Sequence, residues 1–199
     1  MWNRFRKNYL RFKSNQRETK VAEGLKFRNR NVTICGNRYF LGKGMMSDVP
    51  DILKLDQTAY PEKMKWSKQR FLQDFKNWHR HFYLILRKHD QLVGFICISL
   101  SKNNKCGHIE NVAVLPDFQG QGLGYLLITT IIERAREMDL DFIDCNCRID
   151  NHNAQTLFKD IGFVKVEVKP NHFQEELDAV CLRLHLDKTN YIGAKNFGR

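Results

Sequence analysis

Apolar residues along this chain fall into short runs and helical stripes, separated by glycine, proline and polar breaks, and each block predicts one element. Trp2, Phe5, Tyr9 and Phe12 recur at spacings of three and four with arginine and lysine around them, the stripe of a basic amphipathic helix. Val32-Thr33-Ile34 begins a more strand-like composition, and Arg38 to Leu41 reads as a strand. After Gly42-Lys43-Gly44, Ser47 is placed as the N-cap of a helix whose inner face carries Ile52, Leu53 and Leu55. Tyr60-Pro61 interrupts. Ser67 to Asn77 then reads as a second helix, with Phe71, Leu72, Phe75 and Trp78 at helical spacing. Phe82 to Arg87 and Leu92 to Leu100 are apolar strands joined by His89-Asp90-Gln91, a hairpin connection. Ile109 to Leu115 is a further strand, Leu123 to Met138 a long helix and Phe142 to Cys147 another strand. Ala154 to Asp160 is a short helix closed by Gly162, and Val164 to Val168 and Ala179 to Leu186 are the last strands. Hairpins first and a strand–loop–helix–strand unit later predict an α+β fold: a mixed, mostly antiparallel sheet of about seven strands with four helices on its two faces.

Composition narrows the class. With 199 residues, 42% hydrophobic content and only 4 prolines, the chain is no disordered or collagen-like sequence, and one domain over 31–187 is expected. A basic extension over 1–30 precedes it and a tail over 188–199 follows. No run approaches the roughly 18 to 20 apolar residues that cross a bilayer, and the N-terminus lacks a secretory pattern, so a cytoplasmic protein is expected. The formal charge is +11, and residues 1–30 hold ten basic side chains against Glu18 and Glu23, so eight of those charges lie there. Such an arm either attracts phosphate-rich partners, RNA or the ribosome among them, or is a solvated tail. Six cysteines include no C-x-x-C pair, and Cys145-Asn146-Cys147 on a strand lacks the loop geometry of a zinc site, so most are expected to be reduced, buried thiols, and no metal is expected.

The cluster Phe118-Gln119-Gly120-Gln121-Gly122-Leu123-Gly124 lies between a strand and the long helix. It is no phosphate-binding P-loop, which needs G-x-x-x-x-G-K-[ST]. It also fails the dinucleotide fingerprint, because Tyr125 stands where the third glycine belongs. What remains is a tight turn, or a loop whose successive N–H groups converge on a pyrophosphate at a helix N-terminus.

The run Gly107-His108-Ile109-Glu110-Asn111-Val112-Ala113-Val114-Leu115-Pro116, followed by Gln119-x-x-Gly122-x-Gly124, resembles the acetyl-CoA-binding motif of the GNAT superfamily of N-acetyltransferases. Asn151-x-x-Ala154-x-x-Leu157-Phe158-x-x-x-Gly162-Phe163 is similar to that family's later asparagine, short helix and closing glycine–aromatic pair. Element order agrees over about 38–186, and motif-level similarity covers 107–163. The resemblance implies a V-shaped opening between the strand of Glu110–Val114 and that of Asp144–Cys147, with acetyl-CoA as co-substrate. It implies that Val112, Ala113 and Val114 pair with the pantetheine arm, and that a backbone N–H there polarises the acetyl carbonyl, as an oxyanion donor does. Gln119, Gly120, Gln121, Gly122, Leu123 and Gly124 would hold the pyrophosphate, Asn151 would contact the cofactor through its amide, and Phe158 would pack near the thioester.

Transfer to an amine needs a base for the amine and stabilisation of the leaving thiolate. Glu110 is the expected general base and His108 the alternative. Ribosomal-protein alanine N-acetyltransferases, which the chain resembles, carry a glutamate and a tyrosine where this chain has Asn146 and Phe158. A phenyl ring cannot donate a proton, so Tyr60 or Tyr83 is a candidate to reach in. The stretch from Asp48 through Tyr60-Pro61 and Trp66-Ser67 resembles the first helices of the ribosomal-protein enzymes, while the glycine motif is also similar to glucosamine-6-phosphate N-acetyltransferases. A basic arm repels a polyamine and suits a ribosome-associated peptide, so the expected acceptor is a protein or peptide N-terminal amine. A small-molecule amine acceptor and a non-catalytic acetyl-CoA-binding module with an RNA-binding arm are the alternatives, and an oligomer is compatible with each.

Overall fold

The computed structural model describes residues 6, 16–60, 65–103, 105–173 and 177–186. The stripe Trp2, Phe5, Tyr9, Phe12 and the tail over 188–199 lie outside these residues. A helix over residues 16–24 (α1) leads into strands β1 (Arg30–Ile34) and β2 (Asn37–Lys43). Helices α2 (Val49–Ala59) and α3 (Lys68–Lys76) follow, then strands β3 (His81–Lys88), β4 (Gln91–Leu100) and β5 (Cys106–Val114). Helix α4 (Leu123–Glu137), strand β6 (Phe142–Arg148), helix α5 (His152–Ile161), and strands β7 (Val164–Phe173) and β8 (Leu177–His185) complete the order.

All eight strands form one sheet, in the order β1-β2-β3-β4-β5-β6-β8-β7. Every neighbouring pair is antiparallel except β5 and β6. The central strands β3 and β4 read as unbroken apolar runs because helices cover both faces, and their middle residues are all buried. One face packs Phe82, Leu84, Ile96 and Ile98 against Leu127, Ile128 and Ile131 of α4 and Phe158 of α5. The other packs Tyr83, Ile85, Phe95 and Cys97 against Val49, Ile52 and Leu55 of α2 and Phe71 of α3.

The expected seven strands become eight because β1 is a strand of its own. Three of its five residues, Arg30, Asn31 and Thr33, are exposed, so it carries little apolar signal; its turn, Cys35-Gly36, has φ of 47° and 74°, as a two-residue hairpin turn requires. The fifth helix, α1, also moves the expected boundary. Val21 and Leu25 are buried in the α4-side core, Arg17 pairs with Asp141 at 3.1 Å and Lys20 with Asp139 at 3.1 Å. The extension drawn over 1–30 thus includes residues that belong to the fold, and part of its charge is used inside it. Ser47 does not cap α2. The cap is Asp48 with Pro50 in the first turn, and the Asp48 carboxylate accepts from the Met45 N–H and from Arg87, each at 2.8 Å. Trp78 leaves the inner face because α3 ends at Lys76 with Asn77 as C-cap, and it is 62% exposed. Ser67 does cap α3, accepting from the Arg70 N–H at 3.2 Å. Cys97, Cys145, Cys147 and Cys181 are buried free thiols, whereas Cys35 is exposed. No helix among the described residues is long and apolar enough to cross a membrane.

Candidate active site

Pairing between β5 and β6 covers only Cys106↔Phe142 to Ile109↔Cys145. Beyond that point β5 stays with β4 as far as Gly94↔Val114, and β6 stays with β8 as far as Arg148↔Ala179. The facing edges of residues 110–114 and 146–148 therefore have no strand between them; the Val112 and Val114 carbonyls accept from side chains, Tyr60 and Gln119, and the N–H groups of that edge have no partner on β6. A β-bulge marks the start of this opening: Ile109 pairs with Ile98 and Asn111 with Cys97, so Glu110 has no cross-strand partner. Ile109 packs into the α4-side core, while Asn111 turns to α2 and donates to the buried Asp56 carboxylate at 2.8 Å. The bulge places Glu110 and Asn111 on the same face.

At the outer end of β5, Gln119 donates to the Val114 carbonyl at 3.0 Å and fixes the start of the glycine loop. Gly120 and Gly122 have φ of 72° and 85°, torsions that exclude most side chains, and Gly122 is the N-cap of α4. The first bond of the helical ladder runs from the Leu126 N–H to the Gly122 carbonyl at 3.0 Å, so the donors of the first turn precede the ladder and point out of the helix end. No acidic residue stands in that turn. Gly124 serves packing instead: a Cβ there would lie 3.3 Å from Leu157, where α4 and α5 approach. The hairpin turn of β1 and β2 backs the loop, with the Tyr39 hydroxyl donating to the Gln121 side chain at 3.2 Å and the Cys35 thiol 3.7 Å from the Gln121 carbonyl. Exposed N–H groups at a helix start with no competing carboxylate fit a diphosphate.

On the α2 and α3 side of the opening, Glu110 accepts from Ser99 at 2.6 Å and from Arg70 at 3.3 Å. Arg70 also lies over the Trp66 ring, 3.7 Å from its centroid. The Trp66 N–H and the Asn111 amide both donate to Asp56, each at 2.8 Å, which ties the end of the α2–α3 connection to β5. The Tyr60 hydroxyl donates to the Val112 carbonyl at 2.5 Å. Burial and then the Asp56 carboxylate push this phenol far above the ordinary range, and Cys147 on β6 adds to the effect. Opposite, the Asn146 amide nitrogen lies 3.4 Å from His108 Nε2 and 3.2 Å from His172 Nε2, and its oxygen accepts from Lys169 at 3.4 Å. An amide nitrogen only donates, so each ring turns its Nε2 lone pair to it. Burial holds the His108 pKa below the ordinary imidazole value, against the opposing pull of Glu110 and Asp144.

Over residues 49–163 the chain matches the acetyltransferase (GNAT) family. The chain belongs to that family. It is 25% identical over 141 residues to the ribosomal protein bS18-alanine N-acetyltransferase of Salmonella typhimurium, covering 69% of this chain and 91% of that one. It is 24% identical over 158 residues to an N-alpha-acetyltransferase of Sulfurisphaera tokodaii, covering 74% and 93%. Among solved structures, one from Salmonella typhimurium that holds its cofactor acetyl-CoA superposes with a TM-score of 0.65 at 18% identity, covering 78% of this chain and 98% of that one.

As a GNAT acetyltransferase, the chain carries Glu110 at the start of the opening and the glycine loop at the outer end of β5, with His108 two residues before Glu110 on the same strand and Asn146 on β6 beside His108. Asn151 caps α5, its Oδ1 accepting from the Ala154 N–H at 3.1 Å. Phe158 is buried against Phe163, with ring centroids 5.0 Å apart. Tyr83 does not reach the opening. Its hydroxyl is buried on Asp74 at 2.7 Å, and its ring stacks on Phe75. The contacts missed in the sequence, Arg70 to Glu110 and His172 to Asn146, join α3 to β5 and β7 to β6 across long separations and carry no local signal. A cavity of about 430 Å³, lined by Asp51, Lys54, Asp90 and Asp117 among others, presents more carboxylates than cations and suits a diphosphate poorly. Among the described residues no cluster of His, Cys, Asp and Glu is arranged to hold a metal ion.

Proposed function

We propose that this GNAT acetyltransferase moves the acetyl group of acetyl-CoA onto the N-terminal α-amine of a protein or peptide. The observation that carries this reading is the divergence of β5 and β6 after Ile109 and Cys145, with the α4 N-terminus at its outer end. The protein acceptor is supported by the two relatives, whose named activities are acetylation of bS18 alanine and N-alpha-acetylation.

In this reading the backbone of Val112, Ala113 and Val114 pairs with the pantetheine arm, and one of its N–H groups steadies the carbonyl oxygen as negative charge grows on it. Gln119 to Gly124 hold the diphosphate through backbone N–H groups, Asn151 offers its amide nitrogen, and Phe158 forms an apolar floor. The amine enters from the α2 and α3 side, between Glu110 and Asn146. Glu110, oriented by Ser99 and Arg70, is the proposed base, working through water. His108, kept neutral, is the next acceptor for the proton.

The test is incubation of the protein with acetyl-CoA and a set of peptides with free or blocked N-termini, read by mass spectrometry. Acetylation of the free α-amine alone is expected. Transfer only to lysine side chains or only to amino sugars would replace the acceptor, and no transfer at all would remove the enzymatic reading. Glu110→Gln is expected to lower kcat about 100-fold, the usual worth of a positioned base.

A further inference from the structure

The GNAT reading leaves one chemical task without a residue. When the C–S bond of the thioester breaks, the electron pair goes to sulfur, and the thiolate that leaves takes up a proton. Position 158, where the ribosomal-protein alanine enzymes are expected to carry a tyrosine, is Phe158, buried in the core with no proton to give.

Four tyrosines lie among the described residues, and the structure separates them. The Tyr39 hydroxyl is bonded to Gln121 and that of Tyr83 to Asp74. Tyr125 stands on the first turn of α4 and is 38% exposed. Tyr60 is placed differently. It is the C-cap of α2, where the backbone turns to the extended conformation, and this aims the side chain at β5. Its hydroxyl donates to the Val112 carbonyl at 2.5 Å, on the stretch of β5 that β6 leaves unpaired, and feels Cys147 on the opposite strand. The residue as a whole is half-buried while its hydroxyl is the enclosed end. Its position is held from behind by Asp56, one turn earlier on α2, which binds both the Trp66 N–H and Asn111 beside Val112.

We propose that the Tyr60 hydroxyl is the proton donor to the leaving sulfur, taking over the task that Phe158 cannot perform. This rests on the acetyl-transfer reading above. The amine nitrogen attacks the acetyl carbon, the C–N bond forms and the C–S bond breaks. The Tyr60 proton passes to sulfur by rotation of the O–H away from the Val112 carbonyl. The proton lost by the amine, carried through water by Glu110 or His108, restores the phenol, so no net proton is gained or lost by the protein. Burial beside Asp56 disfavours a lasting phenolate, which keeps the proton on Tyr60 between turnovers.

The test compares the unaltered chain, Tyr60→Phe, and the chain carrying 3-fluorotyrosine at position 60, each with acetyl-CoA and an acceptor peptide. Tyr60→Phe is expected to lower kcat about 100-fold, with acetyl-CoA affinity by calorimetry, peptide KM and the thermal midpoint little changed. The fluorinated ring keeps the shape and the hydroxyl but is a stronger acid, and it is expected to raise kcat. A kcat for Tyr60→Phe within about threefold of the unaltered chain overturns the assignment. So does a loss of acetyl-CoA affinity that accounts for the lost rate, because Tyr60 would then only shape β5, and so does a fluorinated chain with unchanged kcat. Absence of transfer by the unaltered chain would instead overturn the acetyl-transfer reading itself.

Discussion

Replacing Gly122 by asparagine and by aspartate asks where the diphosphate of acetyl-CoA sits. Gly122 has φ 85° and ψ 2°, and a Cβ built there meets only the Ile34 side chain, at 3.8 Å. Space is therefore available, and the cost to the fold is the left-handed torsion, about 1–2 kcal/mol for an ordinary L-residue and less for Asn or Asp. Both variants should lose about 1 kcal/mol of folding stability or less, and by the same amount. They differ in charge alone. Gly122 is exposed, so a carboxylate there acts through nearly bulk solvent, where two unit charges about 4 Å apart interact by roughly 1 kcal/mol. A diphosphate with roughly two negative charges is then repelled by about 2 kcal/mol, or about 30-fold in affinity. The assay is calorimetric binding of acetyl-CoA at low and high salt. The Asp variant should bind about 30-fold more weakly than the Asn variant at low salt, and the gap should shrink as the Debye length falls. Equal affinities at low salt would refute the placement of the diphosphate at this loop.

Asp56→Ala should cost about 2–4 kcal/mol, because it leaves the Trp66 N–H and the Asn111 amide without their acceptor, partly offset by removal of a buried carboxylate. The check is urea unfolding, with a lower midpoint and an unchanged m-value; a loss under about 1 kcal/mol would show that these donors find other partners. His108 carries a pH dependence. Its folded pKa lies below the ordinary value of about 6.5, so between the two the unfolded chain binds a proton that the folded chain does not. Stability from this group is present above about 6.5 and declines as the pH falls towards the folded value. His108→Gln should therefore flatten stability against pH in that window; a slope equal to that of the unaltered chain would show that the ring is not held neutral.

Much of the fold was legible because periodicity and burial agree. The continuous runs of β3 and β4 follow from helices on both faces, and the stripe of α4 is a one-sided core face. β1 was illegible because most of its residues face water and only Val32 and Ile34 touch the core. The glycine loop was legible as a demand for unusual torsions, which Gly120 and Gly122 meet. The bulge at Glu110 was not, because a bulge is defined by the partner strand, and nothing in His108-Ile109-Glu110-Asn111 reveals that Cys97 will face Asn111. For the same reason alternation alone cannot show that Glu110 and Asn111 share a face. Tyr60 and Tyr83 were equivalent as candidates in sequence; only packing separated them, one at the opening and one on Asp74.

The order of the sheet also bears on how the protein is made. β8 is the last strand in sequence among the described residues, yet it sits inside the sheet, between β6 and β7. During synthesis β6 emerges with its outer edge bare, and it keeps that edge until Leu177–His185 has left the ribosome and slid in beside it. One wall of the opening thus has no support while the chain is growing. The two walls of the opening are therefore complete only after Leu177–His185 has been made, and a product truncated before Leu177 would carry every motif residue from His108 to Phe158 and still lack the strand that backs β6.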